Sequence, residues 1–325
     1  MQETEIIQGL FRTGDIITVS GYWGCGKSPL LKDWALHIAS GRPWCGHPVS
    51  QRPVLLLDFE SKGRTFQQAW QRMCKRMNIA PPSNIQEYVA NDREQPPRTL
   101  ELQAACKDRS IYSRAYWLNA KLAAAPNAII MIDPLDLMFP LRKNEAHQIV
   151  SLYWRFRETS FKYPDAAFLF VFNLRKLDRK APIPNLLENP RGWLQETAGS
   201  LDIQNRSDVR LGLDERADGA LVLNGIRRDE KMDPTLLEYD WFVDPEDGKE
   251  RETGFRLVAP ETITAKVAFT EDQQDVWTRL EREFSMEDVL QLMRRSAAYA
   301  LVRRALSVGV LEKLPNDRYW KKGAE

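Results

Sequence analysis

The sequence predicts an α/β protein: a mostly parallel sheet flanked by helices, followed by a small C-terminal helical module. Three observations lead there. Apolar runs of strand length (16–19, 53–60, 128–133 and 167–172) are continuous rather than alternating, as expected of strands buried on both faces. Helical stretches at 30–40, 65–77, 99–124 and 145–159 lie between or after these runs, and parallel strands need such crossovers. Beyond residue 205 the texture changes to short strand-like runs (209–213, 220–226, 237–242, 254–257) split by turn residues such as Ala217-Asp218-Gly219 and Asp247-Gly248.

In order along the chain, Ile16-Ile17-Thr18-Val19 is a β-branched strand that runs into a glycine-rich loop. The helix after it carries Leu30, Leu31, Trp34 and Ile38 on one face. The second strand ends in Asp58-Phe59-Glu60 and the third in Asp133. Residues 80–97 and 173–191, rich in proline and charge, read as loops. The short runs after 205 read as antiparallel hairpins that extend the sheet.

Composition narrows the function classes. The chain has 325 residues, 43% hydrophobic and 28% charged, enough for one large core and a small second domain. A net charge of +1 gives no global attraction to nucleic acid, so any basic surface is local. No run of about 18 apolar residues is present, and the acidic N-terminus lacks the pattern of a secretory leader, so no membrane span is expected. The four cysteines have no CxxC spacing, and Cys45 with His47 lacks the second ligand pair of a zinc site. Free thiols in a reducing cytoplasm are the expectation. The domain boundaries expected are 1–260, a linker at 261–270, and 271–325.

The chemistry centres on Gly21-Tyr22-Trp23-Gly24-Cys25-Gly26-Lys27-Ser28, which meets the pattern GxxxxGK[ST] between a strand and a helix. Glycines let backbone N–H groups curl around a phosphate. Lys27 supplies charge to the β- and γ-phosphates, and the Ser28 hydroxyl is a ligand for Mg²⁺. ATP and Mg²⁺ are thus the expected ligands. Pro29 departs from the usual pattern but is tolerated in a first helical turn. Cys25 is read as a small filler, with a low-pKa thiol at the helix terminus as the alternative.

Ile129-Ile130-Met131-Ile132-Asp133 is an apolar strand that brings a carboxylate to the sheet's C-terminal edge, where Asp133 serves Mg²⁺. Asp136 is the competing acid, with a loop or cap role as its plainer reading. Hydrolysis also needs a group that orients or deprotonates water. Pro134 follows Asp133, so no acid stands there; Glu60 at the end of the second strand is the candidate.

Gly14-Asp15 before the first strand, the phosphate loop, Asp58-Phe59-Glu60 and Asp133-Pro134 together resemble the RecA-like ATPases over residues 5–245. The resemblance is greatest to the RepA-like branch of plasmid and mobile-element hexameric helicases. It implies Glu60 as catalytic acid, and a polar sensor followed by basic residues at Phe172-Asn173-Leu174-Arg175-Lys176, with Asn173 where His or Gln is commoner. It likens Arg191-Gly192 and Ala198-Gly199-Ser200 to a loop preceding a strand. It implies an arginine finger at Arg228, with Arg227 as alternate, and a ring, commonly a hexamer, with sites between subunits.

In such rings a basic loop follows single-stranded DNA through the pore; Arg175, Lys176, Arg179 and Lys180 fit that role, and a solvated loop is the alternative. Residues 271–325 read as a winged helix, with Ser285 and Asp288 close to a capping box and a hairpin around Pro315-Asn316-Asp317. There Arg303 and Arg304 are placed for duplex DNA. Two functions compete: an ATP-driven motor on DNA, helicase or helicase-like, and an ATP-switched DNA-binding regulator without unwinding. A small-molecule kinase is a third, less supported reading.

Overall fold

The computed structural model describes residues 4–93, 97–107, 110–139, 146–174, 185–197, 202–216, 220–228, 230–243, 248–258, 269, 271–307, 310–314 and 316–321. Two compact units are present, one of residues 1–216 with 221–256, the other of 257–325 with 217–220.

The first unit begins with a hairpin, β1 (Glu5–Ile7) and β2 (Phe11–Arg12), then β3 (Ile16–Gly21) and α1 (Lys27–Ser40). It continues through β4 (Val54–Lys62), α2 (Gly63–Met77), β5 (Ile85–Asn91), α3 (Pro97–Cys106), α4 (Ile111–Ala124) and β6 (Ile129–Asp133). Next come α5 (Leu135–Met138), α6 (Ala146–Lys162), β7 (Ala167–Asn173), α7 (Pro190–Leu194) and α8 (Asp202–Arg206). The strands β8 (Val209–Glu215), β9 (Leu221–Arg227), β10 (Glu230–Lys231), β11 (Thr235–Val243) and β12 (Glu250–Leu257) complete it.

The sheet has the order β12-β11-β9-β8-β3-β7-β6-β4-β5, with β10 paired to β9. From β8 to β5 every pairing is parallel. The continuous apolar runs find their reason here. Along β7, Ala167, Leu169 and Val171 enter one core with α1 and α2, while Phe168, Phe170 and Phe172 enter a second with α4 and α6. Alternate residues serve opposite faces, and both faces are dry.

Three expectations need correction. The loop at 80–97 contains β5, which buries Ile85, Tyr88 and Val89 but exposes Gln86. An edge strand pairs on one side only, here with β4, so its sequence lacks the continuous apolar signature of the interior. The helix at 99–124 is two helices, because the Ser110 hydroxyl accepts from the N–H groups of Tyr112 (3.2 Å) and Ser113 (3.4 Å) and starts a new one. The run at 209–213 is not part of an antiparallel hairpin on both sides: β8 is parallel to β3 and antiparallel only to β9. The β1–β2 hairpin, too short for a periodic signal, was not foreseen.

Burial pushes the thiols of Cys45 up to about 12 and Cys74 up to about 11. Unfolded thiols ionise near pH ~8.5. Above that pH the unfolded chain holds fewer protons than the folded one, so stability falls as pH rises. The slope is about 1.4 kcal/mol per pH unit for each such thiol. Urea unfolding at pH 8, 9 and 10 shows the slope growing towards this limit as the unfolded thiols ionise, and Cys74→Ala is expected to reduce it by one group.

The second unit contains α9 (Glu271–Arg279), β13 (Glu283–Ser285), α10 (Met286–Leu292), α11 (Arg295–Ser307), β14 (Leu311–Lys313) and β15 (Arg318–Lys321). Its antiparallel sheet has the order β13-β15-β14, over a core that includes Trp277, Phe284, Val289, Leu301 and Tyr319. Ser285 and Asp288 form a complete capping box at the start of α10. The Lys321 ammonium donates to the carbonyls of Trp277 (2.5 Å) and Leu280 (2.6 Å), satisfying backbone groups left open where α9 ends.

Candidate active site

The phosphate loop joins β3, buried along its whole length, to α1. Gly24 (φ 85) and Gly26 (φ 93) occupy left-handed backbone that other residues adopt only with strain. At Gly26 the tolerance for a side chain is further reduced, since a Cβ there would stand 2.5 Å from the Tyr239 hydroxyl. The first helical hydrogen bond runs from Leu30 N–H to the Gly26 carbonyl (2.9 Å). Pro29 lies before that donor, so its missing N–H costs the helix nothing.

Lys27 curls back onto its own loop, where its ammonium donates to the carbonyls of Gly21 (3.0 Å) and Tyr22 (2.7 Å). Cys25 is buried under the loop, and burial pushes its thiol up, which removes the low-pKa alternative. Tyr22 also turns away from the cleft, its ring edge-on to Trp193 at 6.1 Å. Trp23 is 91% exposed.

Beside the loop lies a cleft of about 260 Å³. Trp23, Gly24, Gly26, Lys27, Ser28 and Pro29 line it on one side, and Glu60, Asp133, Pro134, Asn173 and Tyr239 on others. Sheet register explains the convergence: Gly21 is opposite Asn173, and Asp58 opposite Asp133. The Ser28 hydroxyl donates to Asp133. Burial above all, reinforced by the charges of Asp58 and Glu60, pushes Asp133 up to about 7, against that hydrogen bond and the charge of Lys32. Among the described residues no three acids, histidines or cysteines lie together as a complete metal site, but the Asp133 carboxylate and the Ser28 hydroxyl on it are two oxygen donors of the kind Mg²⁺ takes when water and phosphate supply the rest. Ser28 and Asp133 fit Mg²⁺ on this ground.

Asp58 and Glu60, two residues apart, have different environments. Asp58 is 1% exposed, paired with Lys32 at 3.0 Å, and accepts from the N–H groups of Glu60 (3.0 Å) and Ser61 (2.7 Å). It is engaged in holding the strand end. Glu60 is exposed into the cleft. Asp136 lies in the first turn of α5 and does not line the cleft.

Arg227 and Arg228 are not at this cleft. Arg227 is in register with Val209, itself opposite Ile17, at the end of β3 away from Gly21. Arg228, with φ 39, pairs with Asp208 at 2.6 Å while its side chain stays 70% exposed. Asp208 also takes Arg157 (2.8 Å) and the N–H of Ile16 (2.9 Å). Arg175, Lys176, Arg179, Lys180 and Ala198-Gly199-Ser200 lie outside the described residues, as do the side chains of Arg303 and Arg304 on α11.

Three participants escaped the sequence reading. Lys32 is one helical turn past Ser28 and carried no motif. Asp58 was seen only as part of a strand ending. Tyr239 comes from β11, more than 200 residues downstream, and no spacing rule connects it to the loop.

A sequence profile described as an AAA domain matches residues 2–179. No curated protein matches the chain significantly. Among solved structures, the RadB recombinase is similar with a TM-score of 0.49 and 12% identity, over 76% of this chain and 91% of that one. A KaiC-like protein from the hyperthermophilic archaeon Pyrococcus horikoshii OT3 is similar with a TM-score of 0.43 and 12% identity, over 78% and 93%.

Proposed function

This chain belongs to the AAA domain family, and from that premise we propose that it is an ATP-hydrolysing RecA-like motor that acts on DNA, a helicase or helicase-like ATPase of the RepA-like kind. The observation that carries the reading is the convergence of Lys27, Ser28, Asp133, Asn173 and Glu60 on one cleft at the C-terminal edge of a parallel sheet.

In this reading the loop N–H groups and Lys27 hold the β- and γ-phosphates, and Asn173 faces the γ-phosphate. Ser28 and Asp133 would hold Mg²⁺, which when bound would supply charge neutralisation at the phosphates. Glu60 orients the attacking water and takes its proton. Arg228 stabilises the charge of the transferring group from a neighbouring copy in a ring. Its distance from its own cleft and its exposed guanidinium support action in trans. Arg227 is the alternate. The basic segment at 175–180 is assigned to single-stranded DNA. The second unit is assigned as a winged helix on duplex DNA, which the order helix, strand, two helices, two strands supports.

The ATPase rate with and without single-stranded DNA, measured beside the mass in solution, tests this. DNA-stimulated turnover and a ring-sized mass are expected. A monomer whose turnover ignores DNA overturns the motor and leaves the ATP-switched regulator, whose own mark is duplex binding that changes with ATP. Subunit mixing tests the shared site: Glu60→Gln and Arg228→Ala are each inactive alone, and a mixture regains turnover at junctions that pair an intact Glu60 with an intact Arg228. A mixture as inactive as its parts rules out trans action.

A further inference from the structure

Lys32 is 7% exposed and does not line the cleft. A lysine is seldom buried without a partner, because the desolvation of its charge has to be offset. The ammonium pairs with Asp58 at 3.0 Å, donates to the Ser61 hydroxyl at 3.1 Å, and lies 4.8 Å from the centre of the Phe66 ring. Asp58 and Ser61 belong to the end of β4, one on each side of Glu60.

Lys32 follows Ser28 by four residues on α1, so the two share a helix face. Asp58 and Asp133 are opposite each other on adjacent strands. One helix face therefore meets two carboxylates in register: Ser28 takes Asp133, and Lys32 takes Asp58. The first contact lines the cleft, and the second does not.

Glu60 is the residue that the second contact holds. The pairing of β4 with β6 ends at Asp58, and its pairing with β5 shifts register between Asp58 and Lys62. Residues 59–61 thus lack regular pairing on either side. The Asp58 carboxylate takes its place by accepting from the N–H groups of Glu60 (3.0 Å) and Ser61 (2.7 Å). Lys32 in turn grips Asp58 and Ser61, the two residues between which the backbone of Glu60 is held.

We infer that Lys32 is a positioning residue for hydrolysis: acting through Asp58, it sets where Glu60 stands relative to Ser28. This rests on the reading of Glu60 as the acid that orients the attacking water. One helix then fixes both the loop that holds the phosphates and the strand end that carries the acid. Misplacing a catalytic group by about 1 Å can cost about 10²-fold in rate.

A double-variant cycle separates positioning from mere support. Lys32→Met keeps an apolar stem and removes the ammonium. Single-turnover hydrolysis of ATP is expected to slow roughly 10–10²-fold, with calorimetric ATP affinity within about twofold of wild type. In a Glu60→Gln background the same change is expected to slow hydrolysis by less than about twofold, since the group it positions is already disabled. Rates are compared where urea unfolding shows each variant folded. Equal slowing in the two backgrounds, no slowing in the first, or a fall in ATP affinity that matches the fall in rate overturns the assignment. Should Lys32→Met not fold, Lys32→Gln keeps a neutral donor toward Ser61 and carries the same comparison. A wild-type rate in Glu60→Gln with Lys32 intact sinks the proposed role of Glu60 itself, an outcome distinct from a wrong role for Lys32.

Discussion

On the proposed function, Glu60→Gln is expected to slow ATP hydrolysis by roughly 10²–10⁴-fold, the range of a lost general base, and to leave ATP affinity within about twofold. The amide keeps the size and much of the hydrogen bonding of the acid but takes no proton. Among the described residues no hydrogen bond or ion pair is made by this carboxylate: it is exposed into the cleft, while the neighbouring strand end is held by Asp58. Single-turnover hydrolysis beside calorimetric binding checks both halves of the prediction. Asp58→Asn gives the contrasting result, a loss of stability, because it leaves the buried Lys32 ammonium without its 3.0 Å partner. If Glu60→Gln turns over at the wild-type rate, the catalytic acid lies elsewhere and the mechanism must be redrawn.

Arg76→Ala destabilises the first unit by about 3–5 kcal/mol, the scale for removing one member of a buried ion pair. The reason is Asp33, fully buried at 0% exposure. Burial pushes its carboxyl above the ordinary range, against the opposing pull of Arg76, His37 and the Trp44 indole. Without Arg76 the carboxylate keeps the Trp44 N–H at 2.8 Å, a backbone N–H from Phe255 and a histidine at 3.7 Å, but it loses its permanent cation. Urea unfolding measures the loss. An apolar double replacement, Asp33→Leu with Arg76→Met, is expected to recover much of it, since removing both charges removes the desolvation cost. A loss below about 1 kcal/mol in the single variant would show that the pair is solvated and the strand carrying Asp240 loosely held.

The layers of the first unit were legible because its interior strands are dry on both sides. Val54 to Leu57, Ile129 to Ile132 and Ala167 to Phe172 have no polar member, as strands covered on both faces require. Gly24, Gly26, Lys27, Ser28 and Asp133 were legible because phosphate and cation chemistry constrains residue type at fixed local spacing. What escaped was whatever depended on distance along the chain or on a single pairing. β5 has one neighbour and a mixed pattern. Ser110, which splits one apparent helix in two, is a cap within an otherwise helical composition. Tyr239 and Lys32 join the site through the fold, and neither belongs to a local motif. The Asp33–Arg76–Asp240 triad spans residues 33 to 240, and no local pattern announces it.

Lys27 donates to the carbonyls of Gly21 and Tyr22, and this sets a threshold for what enters the loop. A ligand must outcompete two backbone oxygens already in place, so its affinity is the difference between two sets of contacts. A chain of phosphates offers the ammonium several charged oxygens at once, each a stronger acceptor than a carbonyl. On the proposed function, a polyphosphate is therefore the kind of ligand expected to draw the lysine out of its loop.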